Sequence, residues 1–190
     1  MKNCLTLMCL VLLATTATAA DTPISKGSVM LGGDLYFQSE GGEFYKDVYG
    51  DNLTTIGFYP RVGGFVSNGL AVSAEVELLS QSSGGHNATL FGIGPRLAYY
   101  FSTDKTRTEI KGSVYPYVAG LGTIGSLSSS GSESITVIKY GGDLGLLMMI
   151  SNSAAADLSV RVTNDRYSHQ GAAENGLKVH FGVGITAFIL

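Results

Sequence analysis

The segment FGIGPRLAYYF, residues Phe91–Phe101, is almost wholly apolar, ends in three aromatics and carries an arginine in its middle. Its odd positions are Phe91, Ile93, Pro95, Leu97, Tyr99 and Phe101; its even positions are Gly92, Gly94, Arg96, Ala98 and Tyr100. A period of two predicts a β-strand with one apolar face and one small or charged face. A helix would spread Arg96 among the apolar residues, and two glycines and a proline oppose one.

The same alternation recurs along the chain. Val29, Leu31, Gly33, Leu35 and Phe37 oppose Met30, Gly32, Asp34 and Tyr36; Ile56, Phe58, Pro60, Val62 and Val66 oppose Thr55, Tyr59, Arg61 and Phe65. Leu70, Val72, Ala74, Val76 and Leu78 oppose Ser73, Glu75 and Glu77. Further on, Ile138, Tyr140, Leu144, Leu146 and Met148 oppose Lys139, Asp143 and Gly145, and Leu158, Val160 and Val162 oppose Asp157, Ser159, Arg161, Thr163 and Asp165. The last run sets Val179, Phe181, Val183, Ile185, Ala187 and Ile189 against Lys178, His180, Gly182, Gly184 and Thr186. Val114–Leu127 reads as an eighth strand whose two faces are both mild and stay unassigned.

Each strand is long enough for the ~9–11 residues that a tilted strand needs to cross a bilayer. Ser67-Asn68-Gly69 and Ser151-Asn152-Ser153 read as tight turns. The segments around Glu40–Asp51, Ser82–Asn87, Ser128–Glu133 and Ser168–Asn175 read as longer loops, rich in Ser, Gly and charge. Short turns at one end and longer loops at the other describe an all-β, eight-stranded antiparallel up-and-down transmembrane barrel. The Ser102–Ser113 connection is long for its end of that barrel.

The first twenty residues, MKNCLTLMCLVLLATTATAA, have a basic start at Lys2, an apolar run from Leu5 to Ala14 and small residues at Ala17–Ala20. This is the pattern of a cleaved secretory signal, which leaves residues 21–190 as one barrel domain. Both cysteines, Cys4 and Cys9, lie in that leader, so the exported chain is expected to hold no disulfide and no thiolate metal site. The net charge of −3 becomes −4 once Lys2 leaves. The charges are scattered, which gives no basis for a nucleic-acid partner. Charged residues make up 14% of the chain, well below the roughly 25% of a soluble domain, and no interior window reaches the ~18 apolar residues of a membrane helix.

One face of seven strands is essentially free of charge, while the other collects Asp34, Arg61, Glu75, Glu77, Arg96, Lys139, Asp143, Asp157, Arg161, Asp165 and Lys178. Periodicity alone does not say which face is inside, so a lipocalin-like secreted barrel is the competing reading. Three features favour lipid outside: an export leader without later disulfides, glycines on the charged face that make room for long side chains, and aromatics near strand ends. Tyr99, Tyr100, Phe101, Tyr115 and Tyr117 at one end, with Phe37 and Tyr167 at the other, fit interfacial girdles.

The segments KGSVMLGGDLYF (Lys26–Phe37), PRVGGFVSNGLAVSAE (Pro60–Glu75), FGIGPRLAYYF and YPYVAGLGTIG (Tyr115–Gly125) resemble, in order, the OmpA-type outer-membrane β-barrel domain family, often labelled porin-like. The resemblance implies an outer-membrane location, lipid and the outer-membrane assembly machinery as partners, and little about activity. Family barrels usually end in an aromatic residue; this chain ends AFIL, with Phe188 on the His180 face.

Chemistry for catalysis is sparse. His86 and His169 fall in expected loops, and His180 is expected to face the interior. Some eight-stranded outer-membrane barrels modify lipid A with a strand His and Ser near the rim, but adjacent Ser168 and His169 would point to opposite faces of a strand. The carboxylates are read as matched to Arg and Lys, with no metal or cofactor. The expected function is therefore a non-enzymatic, monomeric outer-membrane protein with a charge-plugged interior, structural or engaging a surface ligand through its loops. The alternatives are a small passive channel and a lipid-A-modifying enzyme. Centring the tight turns on Asn68 and Asn152 places Arg61 opposite Glu75 and Asp143 opposite Arg161; across the next strand pair Arg96 can meet Glu75 or Glu77, which extends the first pair into an Arg61–Glu75–Arg96 ladder.

Overall fold

The computed structural model describes residues 22–40, 53–83, 86–103, 109–129, 134–169 and 172–190. The eight strands are β1 (Val29–Glu40), β2 (Leu53–Ser67), β3 (Leu70–Ser83), β4 (His86–Tyr100), β5 (Val114–Ser129), β6 (Ile135–Met149), β7 (Ala154–His169) and β8 (Ala172–Ile189). Each pairs antiparallel with its neighbours in sequence, and β8 returns to β1 to close a barrel. Closure removes the free edges that an open sheet would expose to lipid.

The registers fix the tilt. From Val29 the partners run through Gly64, Val72, Leu97, Gly120, Gly142, Val162 and Val179. The β8–β1 register, continued three rungs beyond Tyr36↔Gly182, brings Val179 level with Ser39, so one circuit climbs from position 29 to position 39 of β1. Such a stagger goes with strands tilted about 40° and an interior that side chains can fill.

The alternation in FGIGPRLAYYF is realised in three dimensions: Phe91, Ile93 and Leu97 face outward and are about half exposed, while Arg96 is 1% exposed inside. All eight strands follow this rule. In β5, whose faces the sequence leaves open, Tyr115, Tyr117, Ala119 and Thr123 turn inward and Val114, Val118 and Ile124 outward. The result is an apolar wall around a polar middle, the reverse of a water-soluble barrel and the arrangement of a transmembrane one.

Three local expectations are corrected. Tyr99 and Phe101 do lie on the outer wall, edge to face at 5.1 Å, but Tyr100, Tyr115 and Tyr117 are buried inside, and Tyr167 also turns to the inner side. Parity decides this: nearness to a strand end does not turn a side chain to the other face. The segments 82–87 and 168–175 are mainly strand, since Ser82↔Asn87, Ser83↔His86, Ser168↔Ala173 and His169↔Ala172 are paired. His86 and His169 therefore end strands, whereas residues 41–51 and 130–133 of the other two expected loops lie outside the described residues. The long connection before β5 is more than a turn. Gly112, at φ 83°, donates its N–H to Met149 O at 2.9 Å, and Ile110 packs against the inner apolar residues.

Close strand approach depends on a few glycines. A Cβ on Gly94 would run into the backbone of Gly122 and Thr123, whereas one on Gly120, on the outer wall, would meet nothing within 4 Å. Gly94→Ala should therefore cost about 1–3 kcal/mol through overpacking. Gly120→Ala should be neutral or stabilise by up to about 1 kcal/mol. Urea midpoints of the two refolded variants in detergent check the contrast, and equal midpoints would contradict it.

Candidate functional site: the charged interior

Viewed from the end that carries Ile24 and Phe188, the interior is built in three layers. The lower layer is apolar and aromatic: Met30, Phe65, Ala71, Tyr100, Tyr115, Leu147, Met149 and Phe188 pack together. Residues ahead of β1 cover it. Ile24 is 2% exposed within that cluster, Gly27 N–H donates to Phe65 O at 2.9 Å, Phe65 N–H to Ser28 O at 2.9 Å, and Gly69 N–H to Ile24 O at 2.8 Å. Lys26 N–H is held by Asn68 Oδ1 at 3.0 Å. The tight turn at Asn68-Gly69 thus also anchors the segment that closes the lower mouth.

The middle layer contains the eleven charges named from the sequence. Ten are 5% exposed or less; the side chain of Lys178 is 37% exposed. They form three connected groups. In the first, Arg61 bridges Asp34 at 2.7 Å and Asp157, with Thr186 Oγ1 at 3.2 Å from Nη2 and Tyr117 Oη donating to Asp157 at 2.8 Å. In the second, Arg161 donates to both oxygens of Glu75, at 2.6 and 2.8 Å, and to both of Asp143, at 2.7 and 3.1 Å; Arg96 Nε donates to Asp143 at 2.9 Å. In the third, Lys139 links Glu77 at 2.5 Å to Asp165 at 3.4 Å, and Lys178 binds Asp165 at 3.2 Å and Tyr167 Oη at 2.8 Å. Six carboxylates face five cations, and no ring of one sign forms.

The registers Arg61↔Glu75 and Asp143↔Arg161 occur as expected. The Arg61–Glu75–Arg96 ladder does not. Arg96 stands opposite Ser73 and reaches Asp143 on β6, Glu75 pairs with Arg161 on β7, and Arg61 turns to Asp34 and Asp157. The physical reason is the narrow, tilted interior, which long side chains can span: Arg61–Asp157, Arg96–Asp143, Lys139–Glu77 and Arg161–Glu75 join strands that are not neighbours, while Arg61–Asp34, Lys139–Asp165, Arg161–Asp143 and Lys178–Asp165 join neighbouring ones. Two guanidinium groups also stack on rings, Arg161 over Tyr59 at 4.5 Å and Arg96 over Tyr117 at 5.2 Å.

The upper layer returns to aromatic and aliphatic residues: Tyr36, Tyr59, Leu79, Leu90 and Val137, flanked by Leu127 and Tyr167. His180, 7% exposed, sits between Tyr36 and Tyr59, with ring centroids 4.6 and 5.9 Å away. A cavity of about 10 Å³ lies among Tyr59, Glu77, Thr123, Lys139, Arg161 and His180. That is about the room one water needs. Among the described residues no group of three or more His, Cys, Asp or Glu is arranged to hold a metal ion. Ser168 faces outward. The sequence reading missed Ile24 and Ile110, which precede their strands and carry no periodic signal, and Tyr117 and Thr186, whose contacts with Asp157 and Arg61 join strands that are not neighbours and arise only in the closed barrel.

No family model matches the chain, and no curated protein does. Among solved structures the fold is similar to Neisserial surface protein A, with a TM-score of 0.58 and 15% identity over 84% of this chain and 94% of that one. It is also similar to the outer membrane protein OprG from Pseudomonas aeruginosa, with a TM-score of 0.51 and 11% identity over 90% of this chain and 99% of that one. At such identities the likeness is one of fold. The chain folds as a small eight-stranded transmembrane β-barrel.

Proposed function

We propose that this chain is a non-enzymatic, monomeric protein of the bacterial outer membrane whose interior is closed to solutes and whose upper hairpins and loops meet the cell surface. The observation that carries this reading is the layered interior: paired charges fill the middle, and Ile24, Ile110 and Phe188 close the lower mouth. Rings of one charge sign, which would select ions in a pore, give way here to near balance. The leader ending near Ala20 would route the chain to export, and the outer-membrane assembly machinery would insert it. The order of motifs favours an OmpA-type domain among eight-stranded barrels, and no cofactor is needed for a structural or surface-contact role.

The reading is tested by conductance. The refolded protein, confirmed by heat-modifiable gel migration, should give no steady channel in a planar bilayer. A large, stable conductance from folded protein would reject the plug and establish the passive channel. A mass change in lipid A on incubation would instead establish an enzyme.

A further inference from the structure

The barrel wall is not equally zipped on all sides. The β1–β8 register ends at Tyr36↔Gly182, although β1 continues to Glu40 on β2 and β8 extends back to Ala172 on β7. Above that rung the two strands part, leaving a notch in the upper wall. Backbone groups that lose a strand partner there need another polar partner, because hydrocarbon offers none. The rim is greasy: Phe37 is 68% exposed, and Leu177 and Phe181 are 72% exposed. The same stretch of β8 carries Lys178, the most exposed cation of the interior network. On adjacent β7, Arg166 pairs in register with Asn175, and it is the one charged residue facing outward among the described side chains of the eight strands.

An apolar rim beside Arg166 on the outer wall, with the part-exposed Lys178 on the inner side of the same edge, fits one kind of occupant. We propose that the upper β1–β8 notch binds an anionic lipid of the surrounding leaflet, its acyl chain along Phe37, Leu177 and Phe181 and its phosphate facing Lys178 and Arg166. The assignment rests on the lipid-facing wall but goes beyond the closed-interior reading, which holds with or without it.

The chain has no tryptophan, so single replacements report cleanly. Phe181→Trp places an emitter at the notch, and Phe91→Trp one on β4, far round the wall. Both variants are refolded into vesicles of phosphatidylcholine mixed with phosphatidylglycerol, with one or the other lipid brominated on its acyl chains. At Phe181→Trp, brominated phosphatidylglycerol should quench with about fivefold higher local affinity than brominated phosphatidylcholine, as one nearby cation gives. At Phe91→Trp the two should quench alike. Adding Lys178→Gln or Arg166→Gln should pull the notch preference toward parity, and Lys178→Arg should keep it. Equal quenching at both sites, or a preference untouched by both Gln changes, would overturn the proposal. So would a notch emitter shielded from both lipids: with cross-linked dimers it would mean a second copy fills the notch, and without them the chain's own 41–52 segment. Failure of either lipid to quench Phe91→Trp would overturn the membrane wall itself and the notch with it.

Discussion

Arg161→Met should lower the stability of the barrel by about 3–5 kcal/mol. Arg161 is 5% exposed and donates to four carboxylate oxygens, two on Glu75 and two on Asp143. Methionine matches its stem but supplies no proton. Asp143 would keep Arg96 at 2.9 Å, whereas Glu75, 0% exposed, would lose the one cation bonded to it among the described residues. A buried carboxylate left alone must be neutralised or hydrated, and either cost falls on the folded state. Lys178→Met is the contrasting case. Its side chain is 37% exposed and Asp165 retains Lys139, Thr163 and Tyr167 as partners, so the loss should stay under about 1 kcal/mol. Urea titration of both variants in detergent, read by the fraction that migrates as folded barrel on unboiled gels, measures the difference. Equal midpoints would mean that water reaches Glu75 and that the middle layer is wet. By the same geometry Glu75→Ala weakens the hold on Arg161, on β7, and not on its register partner Arg61.

How far the sequence reaches is set by which interactions are local. The face that each side chain takes is legible because a strand has a period of two, and Arg96 among Phe91, Ile93 and Leu97 declares it. The register of two hairpins is legible because Asn68 and Asn152 mark the turns, and a one-residue slip would carry charges into lipid. Asp143–Arg161 is legible too, because the second turn sets the two opposite each other and they bond, but the remaining pairings of the charges are not. Arg161 finds Glu75 four strands away, and Lys139 finds Glu77 three strands away, by reaching across a lumen whose width and tilt belong to the closed barrel. The lower closure is hidden for a different reason. Ile24 and Ile110 stand in short irregular segments, where a lone apolar residue looks the same whether it caps a barrel or faces water. Tyr100 and Tyr117 mislead in the opposite way, because position near a strand end suggests the membrane interface while parity sends them inside, 5.0 Å apart.

The outer wall makes its own demand, and depth should reveal it. Leu97, 52% exposed, lies near the centre of the outward run from Phe91 to Phe101; Val66, 51% exposed, is the last outward residue of β2 before its turn. The two side chains are thus equally uncovered by protein and differ in what surrounds them. Leu97→Arg should cost about 2–4 kcal/mol in a phospholipid bilayer, because a guanidinium near the midplane must snorkel or draw in water and head groups. Val66→Arg, at the rim, should cost about 0–1 kcal/mol. In water the two would be nearly equal, since replacing an exposed aliphatic side chain by arginine disturbs little there. Reversible urea unfolding of the barrel in phospholipid vesicles, compared between the two variants, therefore measures the solvent of this wall and not merely its packing. Equal and small costs would put water on the apolar face and return the chain to the secreted-barrel reading. A large cost at position 97 and a small one at position 66 is what lipid requires.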